Sequence, residues 1–311
     1  MGLGAVQYLR QLYPKSTIIY GVPQWIAPLY QKVKTEADEI YPLKLNSLSD
    51  YLNLYNDLID RKVDVIYEMH QSGRGKKIFG FFAWLKGIPY FAHNHHLKSG
   101  TSVIDQGIIK SVIQRDLDGV CSFLGDRTKI PSYLDFEPHL KLNVPEKKKR
   151  IIFGVVATRE TKKWPLEHFG KLAKLLLEKD PELSIVIPLS HSADDLVTKN
   201  KIERLNFPKQ CQIVQIALAD LPHYFTQSQC YIGNDTGLKH LAVSVGLPTY
   251  TLFGPEPPHE WHPYSALKHK YFYREGLECR TRTHHYCGLS HCDSMICLNE
   301  ITPQMVFDSL S

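Results

Sequence analysis

The segment at residues 233–240, Gly-Asn-Asp-Thr-Gly-Leu-Lys-His, combines residue types that can hold a phosphate group. A strand-like apolar run precedes it at 229–232, and a helix-like run of small residues follows at 241–246. Glycine allows a close backbone approach to a ligand, and the free N–H groups at the start of a helix form an anion site. Taken alone, however, the segment is better explained as a turn with a good helix N-cap.

A second polar loop, at 157–165, joins a strand-like run (151–156) to an amphipathic helix-like run (166–178). Ligands of open α/β sheets bind outside the carboxyl ends of the strands, where this loop is expected to lie. Lys162 can reach a diphosphate as a point charge, and Thr158 can donate a hydroxyl hydrogen bond. The alternative is an ordinary polar surface loop.

Length and composition indicate two domains with substantial cores. The chain has 311 residues, of which 43% are hydrophobic and 22% charged, a composition that favours packed cores over global disorder. A net charge of +5 is too weak to indicate a nucleic-acid partner, but it suits anionic small molecules or an anionic membrane surface. There is no apolar run of membrane-spanning length and no signal-peptide pattern, which predicts a cytoplasmic protein with its cysteines reduced.

Strand-like and helix-like segments alternate along the chain, which predicts parallel sheets covered by helices. Residues 126–150 contain several prolines and a basic run, and we predict that they link a first domain (1–125) to a second (151–311). The apolar run 78–85 predicts a buried helix, with an interfacial helix as the alternative. Thr302 followed by Pro303 predicts a helix start, with Thr302 as its N-cap.

Residues 231–264 as a whole resemble the signature of glycosyltransferase family 9, the bacterial lipopolysaccharide heptosyltransferases. The resemblance rests on Gly-Asn-Asp-Thr-Gly, a histidine three residues later, a small-residue helix, and Leu-Phe-Gly-Pro before a proline-rich loop. The loop 157–165 resembles the family's donor-diphosphate loop in its pattern Ala-Thr-Arg-x-x-Lys-x-Trp-Pro. The resemblance implies the α/β GT-B fold, with two Rossmann-like domains facing a cleft, and an inverting transfer from ADP-heptose without cofactor or metal.

The same resemblance implies a nucleotide-sugar site formed by the two loops, with one apolar residue against the adenine. Its residues would be Thr158, Lys162, Ile216, Asn234, Asp235, Thr236, Gly237 and His240. Lys162 would be the catalytic cation, because preorganised positive charge stabilises a departing diphosphate. Ile216 would lie against the adenine, and His240 just behind the second loop.

The start of the chain departs from the family's pattern. The family opens with a strand, a loop with a Gly-Asp pair and a helix, and residues 9–14 resemble the end of that helix. The first strand and the loop, whose Asp is the family's general base, would then lie before Met1. We therefore expect an N-terminal domain that lacks its first strand, either because the recorded start is internal to a longer gene product or because the chain is a diverged, inactive member. Glu68, His70 and His93 are substitute bases that nothing in the sequence positions.

Histidines and cysteines outside the two loops raise two further questions. His70, Arg74 and His93 are candidate contacts for the acceptor. A metal at the histidine cluster 93–96 is disfavoured, because no cysteine or carboxylate follows at ligand spacing. Four cysteines near the C-terminus provide zinc-ligand chemistry but no C-x2-C spacing, so packing thiols or an adventitious disulfide are the favoured alternatives. These cysteines are Cys279, Cys287, Cys292 and Cys297.

Three functions follow from these patterns. The first is a heptosyltransferase that uses ADP-heptose or a related nucleotide sugar, acts on the lipopolysaccharide inner core, and contacts the inner face of the cytoplasmic membrane peripherally. The second is a nucleotide-sugar-binding homologue without catalytic activity, favoured by the missing base. The third is a nucleotide-sugar epimerase of GT-B type, for which the sequence shows no motif.

Overall fold

The computed structural model describes residues 1–69, 73–92, 98–99, 102–103, 110–124, 130–280, 287, 289 and 291–310. The chain divides into two compact units, Met1–Pro138 and His139–Ser311. The division falls within residues 126–150, the segment predicted to be the linker. No helix in the described ranges is long and apolar enough to cross a membrane.

The first unit pairs its described strands two by two. Its helices are α1 (Leu3–Leu12), α2 (Leu48–Asp60), α3 (Gly73–Lys86) and α4 (Val112–Leu124). Its strands are β1 (Ile19–Pro23), β2 (Glu39–Leu43), β3 (Ile66–Glu68), β4 (Tyr90–Ala92), β5 (Lys98–Ser99) and β6 (Ser102–Val103). The pairs β1–β2 and β3–β4 are parallel, and β5–β6 is antiparallel. Among the described strands none joins the two parallel pairs, which fits the predicted sheet without its first strand.

Local side-chain chemistry explains where α2 begins. The Ser47 hydroxyl accepts a hydrogen bond from the Asp50 backbone N–H at 3.2 Å, and the Asp50 carboxylate accepts one from the Ser47 backbone N–H at 2.9 Å. This reciprocal capping box satisfies two N–H groups that would otherwise lack partners. The chain therefore enters α2 at a defined residue.

Residues 78–85 lie in a helix, as predicted, but the prediction that this helix is buried is wrong for one of its faces. Phe82 and Ala83 are buried, but Phe81, Trp84 and Leu85 are 52%, 75% and 58% exposed. An unbroken apolar run places large side chains around the whole helix circumference, whereas the first unit covers only one face. The exposed residues follow one another along the helix surface at i, i+3 and i+4 spacing.

The second unit contains one parallel sheet with helices between its strands. Its strands are β7 (Arg150–Gly154), β8 (Ser184–Pro188), β9 (Cys211–Val214), β10 (Cys230–Asn234), β11 (Thr249–Phe253) and β12 (His269–Tyr273). Its helices are α5 (Leu166–Lys179), α6 (Ala193–Arg204), α7 (Leu221–Thr226), α8 (Gly237–Ser244), α9 (Pro258–Trp261), α10 (Ile296–Asn299) and α11 (Pro303–Asp308). The Thr302 hydroxyl caps α11 by accepting from the Met305 N–H at 3.2 Å, which confirms the predicted helix start.

The strand order of this sheet is β12-β11-β10-β7-β8-β9, with every pair parallel. The chain runs outward from β7 through β8 to β9, then crosses back to β10 and runs outward on the other side. The loops that follow β7 and β10 therefore leave neighbouring strands at the same edge of the sheet. This reversal of strand order is where open α/β sheets bind their ligands.

Candidate functional site

The loops after β7 and β10 meet through an ion pair at the point where the strand order reverses. The Lys162 Nζ lies 2.7 Å from the Asp235 Oδ2, and the two side chains are 16% and 6% exposed. The predicted convergence of the two loops thus has a direct contact, made by residues from each. A charged pair this enclosed is only weakly screened by solvent.

A buried asparagine and tryptophan fix the distance between these loops. The Asn234 Oδ1 accepts from the Trp164 backbone N–H at 2.9 Å, and the Asn234 Nδ2 donates to the Val155 carbonyl at 2.8 Å. The Trp164 indole N–H donates to the Ile301 carbonyl at 2.8 Å. Because Asn234 is fully buried and both of its polar atoms bind backbone, we assign its side chain to loop positioning. This differs from the predicted contact with a nucleotide sugar.

The loop after β11 closes against the loop after β7. A Cβ atom added to Gly254 would come within 2.7 Å of the Thr161 carbonyl oxygen, so glycine is required for this close approach. The Gly254 carbonyl accepts from the Arg280 guanidinium at 2.9 Å. Arg159 forms an ion pair with Glu256 across the same contact, although burial raises the pKa of the Glu256 carboxyl. Three loops are therefore tied together at one edge of the sheet.

The start of α8 presents backbone N–H groups that its own residues leave open. Thr236 is the N-cap residue, but its side chain caps no N–H. Gly237 is exposed, and a Cβ atom built on it would have no atom within 4 Å. The first N–H groups of a helix attract anions through their partial positive charge. An anion here would also lie near the Lys162–Asp235 contact, because Asp235 and Thr236 are adjacent.

The Asp235 carboxylate is held by two lysines. Besides Lys162 at Oδ2, the Lys239 Nζ donates to Oδ1 at 2.6 Å from one helical turn away. Burial opposes ionisation of Asp235, but the two ammonium groups outweigh it and hold the pKa of the carboxyl below its ordinary value. Burial lowers the pKa of Lys239 to about 8. Residue patterns did not select Lys239, although its i, i+4 spacing from Asp235 was the available signal.

His240 contributes no positive charge to this site. Its Nδ1 lies 2.5 Å from the Tyr264 hydroxyl. Burial, reinforced by the neighbouring Lys239 ammonium, places the pKa of the imidazole well below its ordinary value. The ring is therefore neutral at pH 7, and it projects from α8 against the Tyr264 side chain. Its place behind a bound diphosphate stays a prediction.

Two other predicted contacts lie at the same edge of the sheet. Thr158 is exposed in the loop after β7, and Ile216 is half-buried in the loop after β9. Two strand spacings separate β9 from β7, a distance of about 10 Å. A single ligand that touches both Lys162 and Ile216 must therefore extend along the sheet edge by about this length.

Most of the side chains predicted to contact the acceptor lie outside the described structure. His70 and His93 lie outside the described residues, and Arg74 belongs to α3 without a described side chain. Glu68, a substitute base, accepts a hydrogen bond from the Tyr90 hydroxyl. The carboxylate is therefore already engaged at the end of β3.

The C-terminal cysteines are free thiols. Cys279 is exposed, and Cys287, Cys292 and Cys297 are half-buried. Within the described part of the chain, no three His, Cys, Asp or Glu side chains are grouped closely enough to hold a metal ion. His284 and His285 lie outside that part.

Comparison with known proteins places this geometry in a family. Residues 128–289, more than half of the chain, match the sequence profile of glycosyltransferase family 9 (heptosyltransferase). Lipopolysaccharide heptosyltransferase 2 of Escherichia coli K12 is 24% identical over 294 residues, which cover 84% of this chain and 80% of that protein. Lipopolysaccharide heptosyltransferase 1 of Campylobacter coli is 29% identical over 120 residues, covering 38% and 35%.

Solved structures extend the similarity to the whole fold. The E. coli ADP-heptose lipopolysaccharide heptosyltransferase II matches with a TM-score of 0.73 at 20% identity, over 99% of this chain and 92% of that one. A family 9 glycosyl transferase from Veillonella parvula matches with a TM-score of 0.72 at 16% identity, over 99% and 91%. These matches confirm the predicted α/β GT-B fold. The family profile, which matches more than half of the chain, shows that this chain is a member of glycosyltransferase family 9, the heptosyltransferase family.

Proposed function

We propose that the chain transfers a heptose from ADP-heptose to the lipopolysaccharide inner core, with inversion at the anomeric carbon. The observation that carries the proposal is the contact between Lys162 and Asp235 beside the open start of α8. It places a cation and free N–H donors together at the reversal of strand order. The names of the curated relatives, which are lipopolysaccharide heptosyltransferases, support the choice of donor and acceptor.

The proposed chemistry follows from the charge of the leaving group. When an acceptor hydroxyl attacks the anomeric carbon, negative charge develops on the departing diphosphate. Lys162 and the first N–H groups of α8, near Gly237, stabilise that charge without a metal ion. Thr158 adds a hydroxyl donor, and Ile216 packs against the base at the far end of the nucleotide. The proton of the acceptor hydroxyl needs a carboxylate or imidazole within hydrogen-bond reach.

Donor binding provides the direct test. Excess ligand that binds only the folded state raises the free energy of unfolding by about 2.7 kcal/mol at one hundred times Kd. We expect ADP and ADP-sugars to raise the melting temperature, and UDP-sugars to leave it unchanged. Equal stabilisation by both nucleotide classes would contradict the choice of donor.

A nucleotide-sugar-binding protein without transferase activity is the second candidate. It is favoured by Glu68, a candidate base whose carboxylate already accepts a hydrogen bond from the Tyr90 hydroxyl. Both candidates bind ADP-heptose, but only the enzyme releases ADP when a lipid-linked inner-core acceptor is added. Donor binding without acceptor-dependent release of ADP would select the second candidate.

We also propose that the protein is cytoplasmic and contacts the inner membrane surface peripherally through α3. Phe81, Trp84 and Leu85 form an exposed apolar face, and α3 contains no acidic residue while Lys76, Lys77 and Lys86 carry positive charge. Exposed aromatic and aliphatic residues on a basic helix suit the headgroup region of an anionic bilayer.

Vesicle sedimentation tests this contact. The wild-type protein should sediment with phosphatidylglycerol vesicles and stay in solution with phosphatidylcholine vesicles. Replacing Phe81, Trp84 and Leu85 by serine should abolish sedimentation. A matched control replaces Leu48 and Leu52, which are 75% and 57% exposed on the acidic helix α2, and should sediment like the wild type. Equal loss in the control, or wild-type protein that does not bind either vesicle, would overturn the proposal.

A further inference from the structure

A lysine without exposed surface lies at the start of α8. The Lys239 side chain is 0% exposed. Its Nζ donates to the Asp235 Oδ1 at 2.6 Å and to the Trp261 carbonyl at 2.7 Å, and lies 4.8 Å from the centre of the Phe253 ring. Burial of an ammonium group is costly unless it is paired, and a cation in the first turn of a helix opposes the helix dipole. Considered alone, the buried ammonium of Lys239 therefore lowers the free energy of unfolding.

The charges of the cluster show what this lysine changes. Asp235 carries one negative charge, and Lys162 and Lys239 each carry one positive charge, so the three side chains together carry one net positive charge. Without Lys239, Lys162 and Asp235 would form a neutral pair. A neutral pair attracts an anion far less than a free cation does, because the carboxylate repels the anion at nearly the same distance.

The surplus charge lies at the accessible end of the cluster. Lys162 is 16% exposed, whereas Asp235 and Lys239 are 6% and 0% exposed. The two lysines occupy different carboxylate oxygens, so Lys239 binds Asp235 from inside the fold and leaves the outer oxygen to Lys162. Lys239 therefore compensates the Asp235 carboxylate from inside the fold. The net positive charge of the cluster lies at Lys162, the ammonium nearer to solvent.

We propose that Lys239 is a positioning residue that neutralises Asp235 from within the fold, so that Lys162 presents an uncompensated positive charge to a diphosphate. This inference rests on the proposed function, because it assumes that a nucleoside diphosphate binds beside Lys162. Lys239 itself touches no ligand in this arrangement. Its effect is confined to the phosphate end of the nucleotide and leaves the base and ribose untouched.

Four proteins test this role by isothermal titration calorimetry at pH 7: wild type, Lys239→Met, Asp235→Asn, and the double variant Asp235→Asn/Lys239→Met. The ligands are ADP and adenosine, which lacks the diphosphate. Lys239→Met should weaken ADP binding by about tenfold or more, because Asp235 then compensates the Lys162 ammonium that faces the diphosphate. Asp235→Asn alone should bind ADP at least as tightly as the wild type, and adenosine binding should be the same in all four.

The double variant separates charge compensation from structural support. It again carries one net positive charge on Lys162, and the amide oxygen of Asn can still accept from Lys162. Its ADP affinity should return to within about threefold of the wild type, even though Lys239 is absent. A structural role would not be rescued in this way, because removing a second buried partner would weaken the fold further.

Each remaining result decides the matter. Two results would overturn the charge-compensating role of Lys239 and leave the proposed function intact. One is a double variant that binds ADP as poorly as Lys239→Met, and the other is Lys239→Met binding ADP like the wild type. If wild-type protein does not bind ADP, the proposed function fails and this inference fails with it. Should Lys239→Met not fold, as shown by circular dichroism, the wild type and the double variant are compared directly. Equal ADP affinity then supports the inference, and a loss of tenfold or more overturns it.

Discussion

Replacing Lys162 by methionine is expected to weaken ADP binding by about 10- to 150-fold, which corresponds to the loss of a charge-assisted contact worth about 1.5–3 kcal/mol. The rate of transfer should fall further, by about 10²–10³-fold, because negative charge on the diphosphate is greatest in the transition state. Titration calorimetry with ADP measures the first effect. Release of ADP from ADP-heptose in the presence of acceptor measures the second.

The fold should survive this substitution. Asp235 keeps its hydrogen bond to Lys239 at 2.6 Å, so no uncompensated carboxylate is left inside the protein. Lys163 provides a matched control, because its side chain is 21% exposed compared with 16% for Lys162, and it pairs with Glu160 at 2.5 Å. Lys163→Met should bind ADP like the wild type. Unchanged ADP affinity in Lys162→Met would remove Lys162 from the site.

Two glycines of the same motif should respond to alanine in opposite ways. A Cβ atom on Gly237 would meet no atom within 4 Å, and Ala restricts the unfolded chain more than Gly does. Gly237→Ala should therefore keep the free energy of unfolding unchanged or raise it by up to about 1 kcal/mol. If a diphosphate approaches the start of α8, the added methyl group would intrude on it. Overpacking of this kind costs about 1–3 kcal/mol, or roughly 5- to 150-fold in Kd for ADP.

Gly233→Ala should instead destabilise the fold. Its Cβ atom would lie 2.5–2.7 Å from the backbone O, Cα and N atoms of Gly154 on the neighbouring strand, and backbone atoms in a sheet cannot move aside. Thermal denaturation and ADP titration of both variants check the pair of expectations. A Gly237→Ala protein that is stable and binds ADP like the wild type would show that no ligand approaches this end of α8.

The two glycines also show that residues of one motif can serve different purposes, one leaving space for a ligand and the other allowing two strands to pack. The sequence suggests that both glycines admit a ligand, since the residue type is permissive at either position. In the folded chain, Gly233 faces Gly154 across β10 and β7, and only Gly237 has open space beside it. The difference arises from a strand neighbour about eighty residues away in sequence, which local spacing does not identify.

The buried polar residues make the same point. Asn234 belongs to the motif but bonds to Val155 and Trp164, so it joins two loops. Lys239 looks like an ordinary polar residue of a surface helix, yet it is fully enclosed against Trp261. Whether a side chain faces solvent or a distant loop depends on how helices pack over the sheet.

The sequence by itself determined the local parts of this protein: the alternating α/β elements, the helix start capped by Thr302, and the two loops that carry Lys162 and Asp235. These depend on residues close together in the chain, through hydrophobic period and capping chemistry. Only the tertiary structure decided which strands are neighbours, and so which loops meet. It also decided that α3 leaves Trp84 exposed and that Lys239 forms a buried ion pair with Asp235. Those outcomes depend on contacts between residues distant in sequence. Packing, and not residue type, decides whether a side chain is buried and which charged group lies beside it.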